Sequence, residues 1–142
     1  MKPAAATSMT VRERMTTELI KLTPNTSLHN AEKLLKRHKI RHAPVVNDKK
    51  LIGIISLTDI QRLTFGSPYG EPDALGDRSL ADMLSVGQVM HTHPDFITPD
   101  TPIQEAAQKL IEAEYHALPV VEGGELAGIL TTTDLLKLLV EE

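Results

Sequence analysis

Ala117-Leu-Pro-Val-Val-Glu-Gly-Gly-Glu-Leu-Ala-Gly-Ile-Leu-Thr-Thr-Thr-Asp134 reads as a strand, a tight turn, a second strand and the start of a helix. Pro119 opens the apolar pair Val120-Val121, Gly123-Gly124 is a two-residue hairpin signal, and Leu126 to Leu130 form the second apolar run. Thr131 and Asp134 then stand three residues apart at the mouth of a helix beginning near Thr132. Seventy-five positions earlier stands Ala43-Pro-Val-Val-Asn-Asp-Lys-Lys-Leu-Ile-Gly-Ile-Ile-Ser-Leu-Thr-Asp59, the same unit written a second time.

Working outward, the register holds without a gap from Val11 to Leu63. Val11, Met15, Thr17 and Thr23-Pro24 match Val86, Met90, Thr92 and Thr98-Pro99, and Ala31, Leu35 and Leu63 match Ala106, Leu110 and Leu138. Chance does not keep register over such a span, so the chain is an internal duplication. Val11 to Met15 reads as a helical turn, Leu19-Ile-Lys-Leu22 as a short strand stopped by Thr23-Pro24, and Ser27 as the N-cap of an amphipathic helix over 27–39. Strands follow at Ala43–Val46 and Leu51–Ile55, with Asn47-Asp48 supplying the turn, and then a helix over Leu57–Thr64. Each copy is therefore strand–helix–strand–strand–helix, and the fold class is α/β (α+β). Residues 1–9 read as a loose tail, 10–65 as the first repeat, 66–84 as a Gly- and Pro-rich connector with a short helix at Leu80–Leu84, and 85–142 as the second repeat. A copy of about 50–60 residues is marginal on its own. The expectation is two pseudo-twofold-related β-α-β-β-α repeats packed sheet to sheet, with clefts at the seam.

Composition narrows the function. Aromatic residues are 3% of the 142, so a core must be aliphatic, and the absence of Cys removes disulfides, thiolate metal sites and a Cys nucleophile. A net charge of −4 without a basic block gives no footprint for nucleic acid. No apolar run approaches the roughly 20 residues a membrane span requires, and Met1-Lys-Pro-Ala-Ala-Ala6 lacks a signal-peptide apolar region. The expected location is the cytoplasm.

At Pro44-Val-Val…Gly53-Ile-Ile-Ser-Leu-Thr-Asp59 and Pro119-Val-Val…Gly128-Ile-Leu-Thr-Thr-Thr-Asp134 the chain resembles the cystathionine β-synthase (CBS) domain family, and the pair resembles a Bateman module. The resemblance covers residues 11–140. Met15-Thr16 fits the family's repeat start, whereas the second copy has His91 after Met90. The resemblance implies adenosine-containing ligands in inter-repeat clefts, a regulatory role and side-by-side homodimers.

Ser56 with Asp59, and Thr131 with Asp134, are the leading site candidates. A carboxylate can accept both ribose hydroxyls, and the helix N-terminus behind it favours an anion. The same spacing is close to a capping box, and the two roles can coexist; the matched pair in a duplicated domain favours binding. Gly53 and Gly128 fit either a close backbone approach or a strand bulge. Arg41 and His116 stand in register just before Pro44 and Pro119, where a basic group could bind phosphate or merely end a helix; for His42 the alternatives stay open. The resemblance adds Pro44, Pro119, Thr16, Thr17 and Thr92 near base or sugar. His91-Thr-His93 could share a strand face as metal ligands, but no third ligand stands at a recognisable spacing, so they read as loop histidines. No nucleophile elbow or P-loop is present, and Glu122, Glu125, Glu141 and Glu142 read as solvated charges.

The reading is a stand-alone tandem regulatory module, not an enzyme. It requires no cofactor and binds AMP, ADP or ATP, with S-adenosylmethionine or a dinucleotide as other ligands. It acts as a homodimer on an unknown protein, with no nucleic acid or membrane partner. The alternative is a dimeric scaffold without a physiological nucleotide.

Overall fold

The computed structural model describes residues 9–65, 83–113 and 116–141. The expected tail over residues 1–8, the connector over 66–82 and most of the Leu80–Leu84 helix lie outside the described residues. After a single 3-10 turn at Val11–Glu13 come α1 (Leu28–Arg37), β1 (His42–Asn47), β2 (Lys50–Ser56) and α2 (Leu57–Phe65). The second half supplies α3 (Val86–Val89), β3 (His91–Thr92), α4 (Ile103–Glu112), β4 (Ala117–Glu122), β5 (Glu125–Thr131) and α5 (Thr132–Val140).

Local chemistry explains the boundaries. The Ser27 hydroxyl accepts from the Asn30 N–H at 3.1 Å, capping α1, and Leu28, Ala31 and Leu35 form its buried stripe. The hairpins β1–β2 and β4–β5 share one register: His42 faces Ser56 as Ala117 faces Thr131, and both ladders carry an irregularity after the first Val of Pro-Val-Val. Gly123 and Gly124 take φ +61 and +83 in the second turn. In the first, Asn47 stays in β1 opposite Lys50, so the turn is Asp48-Lys49 rather than Asn47-Asp48, with Asp48 at φ +59.

The strand expected at Leu19–Leu22 does not form. Leu22 makes one isolated parallel bridge with Val45, through the Leu22 N–H to the Pro44 carbonyl (3.0 Å) and the Val46 N–H to the Leu22 carbonyl (2.9 Å). Ile97 does the same against Val120. Pro24 and Pro99 stand two residues later without an N–H, so neither ladder can lengthen.

The chain divides into two compact units, Ile20–Pro94 and the stretch through Leu19 together with Asp95 onward. The core of the first gathers Leu22, Leu28, Ala31, Leu35, Val45, Ile55 and Ile60 around Val86; that of the second gathers Ile97, Ile103, Ala106, Leu110, Val120 and Leu130 around Val11. Six of these positions recur shifted by 75, the counterpart of Ile60 is the partly buried Leu135, and each valine comes from the opposite sequence repeat. In the first unit β3 joins the sheet in the order β1-β2-β3, with His91 opposite Ile54. In the second the equivalent contact is a bridge between Thr16 and Ile129, bonded in both directions at 2.8 and 3.0 Å.

Glycine makes that contact fit. A Cβ on Gly128 would lie 2.8 Å from the Thr16 carbonyl oxygen, and one on Gly53 would lie 2.9 Å from the His91 carbonyl oxygen and 2.5 Å from Met90 Sδ. Close approach therefore accounts for both glycines. The ladder irregularity begins beside them, where Val45 pairs with Gly53 and Val46 with Leu51.

Candidate functional site

In the Asp134-bearing unit, Thr131 ends β5 and caps α5. Its hydroxyl accepts from the Asp134 N–H at 3.1 Å, and the Asp134 carboxylate accepts from the Thr131 N–H at 3.0 Å, a reciprocal capping box. The capping role foreseen for this spacing is real. The carboxylate is not consumed by it: the Thr16 hydroxyl, brought in by the bridge to Ile129, donates to Asp134 with its oxygen 3.1 and 3.3 Å from the two carboxylate oxygens. Asp134 is half-buried at the head of a nine-residue helix, where free N–H groups and the helix dipole favour negative charge.

The other unit repeats the plan with Ser56 in place of Thr131 and a different incoming group. The buried Ser56 hydroxyl accepts from the Asp59 N–H at 3.0 Å at the head of α2. The group that reaches Asp59 from the incoming segment is an imidazole: His91 Nε2 lies 3.2 Å from Asp59 Oδ2. His91 is the positional equivalent of Thr16. Sequence reasoning placed it among the loop histidines; the signal was its register with Thr16.

Arg41 and His116 are both exposed, and their backbones are tied to the helix heads. The Arg41 carbonyl accepts from the Leu57 N–H at 2.8 Å, and the His116 carbonyl from the Thr132 N–H at 3.0 Å. His116 takes φ +59. His42 stands half-buried opposite Ser56, where the second unit has the buried Ala117 opposite Thr131. Pro44 and Pro119 lie buried within β1 and β4, and their carbonyls receive the Leu22 and Ile97 N–H groups. Thr17 is exposed one residue past Thr16, and Thr92 is exposed in β3 opposite Gly53. The structure thus brings Thr16, Thr131 and Asp134 together, and Ser56 and Asp59 with His91. Among the described residues no group of three or more His, Cys, Asp or Glu could hold a metal ion, and no helix is long and apolar enough to cross a membrane.

The CBS domain family model matches residues 11–65 and 86–141. A CBS domain-containing protein of Dictyostelium discoideum is 34% identical over 134 residues, covering 92% of this chain and 91% of that protein. Three other curated relatives are much longer: the chain spans only 13%, 44% and 22% of them. The solved structure of CBSX2, a CBS-pair protein from Arabidopsis thaliana, superposes with a TM-score of 0.83 at 30% identity, covering 94% of this chain and 96% of that one. A second structure of CBSX2, in complex with AMP, gives 0.76 at 30% identity, covering 92% and 96%. The CBS domain pair of protein MJ0100, in complex with 5-methylthioadenosine and S-adenosylmethionine, gives 0.73 at 25% identity, covering 93% and 96%. With both halves matched by the family model and a full-length likeness to a CBS-pair structure, the chain belongs to the CBS domain family and carries two CBS repeats.

Proposed function

We propose that the protein is a regulatory module that binds an adenosine-containing ligand at the heads of α2 and α5 and signals its presence to another protein. The observation that carries this reading is the duplicated half-buried carboxylate, Asp59 and Asp134, each held at a helix N-terminus beside a hydroxyl and met by a polar side chain from an incoming segment. Such a carboxylate can accept two ribose hydroxyls, and the helix N–H groups behind it can face phosphate. The AMP complex of CBSX2 and the MJ0100 complex support an adenosine-type ligand. In this reading Arg41 and His116 serve the phosphate, Ser56, His42 and Thr131 line the sugar side, and Thr16, Thr17 and Thr92 lie toward the base or sugar. Regulation rather than catalysis, and a homodimeric state, are part of the same proposal.

The test is calorimetry with adenosine, AMP, ADP, ATP and S-adenosylmethionine on wild-type protein and on Asp59→Ala and Asp134→Ala. Losing hydrogen bonds to a charged acceptor costs about 1.5–3 kcal/mol, roughly a ten- to hundredfold loss of affinity at the altered site. A capping role alone predicts about 1 kcal/mol of lost stability with ligand binding unchanged. Absence of any heat at millimolar ligand would sink the sensing reading.

A further inference from the structure

The two helix heads are built alike, yet three differences between their surroundings run the same way. His91 meets Asp59 where Thr16 meets Asp134. Arg41 occupies the place of His116 at the backbone tie to the helix, and His42 the place of Ala117 opposite the capping residue. Three nitrogen bases thus flank the Asp59 site where the Asp134 site has one. The units carry this asymmetry as a whole. Ile20–Pro94 holds ten Lys and Arg against seven Asp and Glu, net +3, and the rest of the chain five against twelve, net −7, together the −4 of the protein.

We propose that the two sites take adenosine ligands of different charge: the Asp59 site requires an anionic polyphosphate, whereas the Asp134 site accepts a neutral nucleoside nearly as well. This rests on the adenosine-binding reading above. Two effects act together. Arginine offers phosphate a planar fork of donors, an imidazole can carry a proton near neutral pH, and a net positive unit raises the local concentration of anions. The second effect concerns the ribose. A threonine hydroxyl both donates and accepts, so an incoming sugar hydroxyl can bond to Thr16 while Thr16 keeps its bond to Asp134. An imidazole N–H that donates to a carboxylate has no lone pair left on that nitrogen, so His91 occupies part of Asp59 Oδ2 and offers the sugar no acceptor through that nitrogen. A neutral nucleoside therefore finds one partner fewer at the Asp59 site than at the Asp134 site, whereas a diphosphate gains the basic side chains in exchange.

The experiment uses the full chain with one site disabled at a time. ADP and adenosine are titrated calorimetrically into Asp134→Ala, which leaves the Asp59 site, and into Asp59→Ala, which leaves the other, each checked for native circular dichroism. If Asp134→Ala unfolds for want of its cap, Asp134→Asn, which keeps an acceptor for the Thr131 N–H, takes its place. The expected ADP-to-adenosine affinity ratio is at least about tenfold larger at the Asp59 site, a difference of roughly 1.4 kcal/mol, and it falls more steeply with added salt. Adding His91→Thr should shrink that ratio, and adding Thr16→His to Asp59→Ala should enlarge the ratio at the other site. Equal ratios at the two sites, or the larger one on the Asp134 side, would overturn the assignment and leave the adenosine reading standing. No heat from either ligand on the wild type overturns the adenosine reading, and this assignment with it.

Discussion

Arg12 and Glu122 show what a single pair contributes. The Arg12 guanidinium donates to the Glu122 carboxylate at the end of β4, with Asp100 a further 3.7 Å contact. That hydrogen bond is the largest influence on Glu122 and holds its pKa below the usual value near 4.5, while the Arg12 pKa is raised, chiefly by the same bond. A lowered carboxylate pKa adds stability that is present above the unfolded value and is lost as pH falls through the folded one. Both side chains are solvated, so the effect is small and salt-sensitive. Melting of wild type and Glu122→Gln at neutral pH should differ slightly in favour of the wild type, with the gap closing below about pH 4.5 and in high salt; a gap that persists in acid would assign it to something other than charge. This pair was invisible in the sequence, because it joins residues 110 positions apart. The Thr131–Asp134 pair was legible because it spans three residues and obeys capping rules. His91 falls between: its register with Thr16 is legible in the repeat, but the Thr16–Asp134 contact that gives the register its meaning joins residues 118 positions apart.

Whole elements were read more securely than single contacts. The short apolar runs and the turn residues of both hairpins determine them locally, and the stripe of Leu28, Ala31 and Leu35 determines α1. The misread piece, Leu19–Leu22, has strand composition but only one neighbour to bond with, and proline prevents its extension. Helix α5 carries more apolar surface than its own unit uses. Leu135 and Leu138 pack on the core, whereas Leu136, Leu139 and Val140 are 56%, 77% and 80% exposed. In line with the proposed homodimer, light scattering at micromolar concentration should give twice the chain mass, and Leu136→Asp with Leu139→Asp should give a folded monomer. A monomeric wild type counts against self-association through this helix.

At the scale of the molecule, sequence repeats and compact units do not coincide. Val11 completes the core built from Ile97 to Leu130, and Val86 completes the one built from Leu22 to Ile60. Burying one such valine is worth about 1.5–3 kcal/mol, a large share of a total of about 5–15 kcal/mol. Fragments covering residues 9–65 and 83–142 should therefore melt poorly or not at all when alone. Mixed, they should regain helical circular dichroism and a cooperative transition; a cooperative, native-like melt of either fragment by itself would show that the borrowed segment is dispensable. The exchange also bears on descent. A gene encoding one copy could complete its fold only by trading leading segments with a second molecule, a reciprocal swap that fails on dilution. Fusing two copies makes the trade intramolecular, at a high and constant effective concentration. It also releases the copies from identity, so that one can carry His91 where the other carries Thr16.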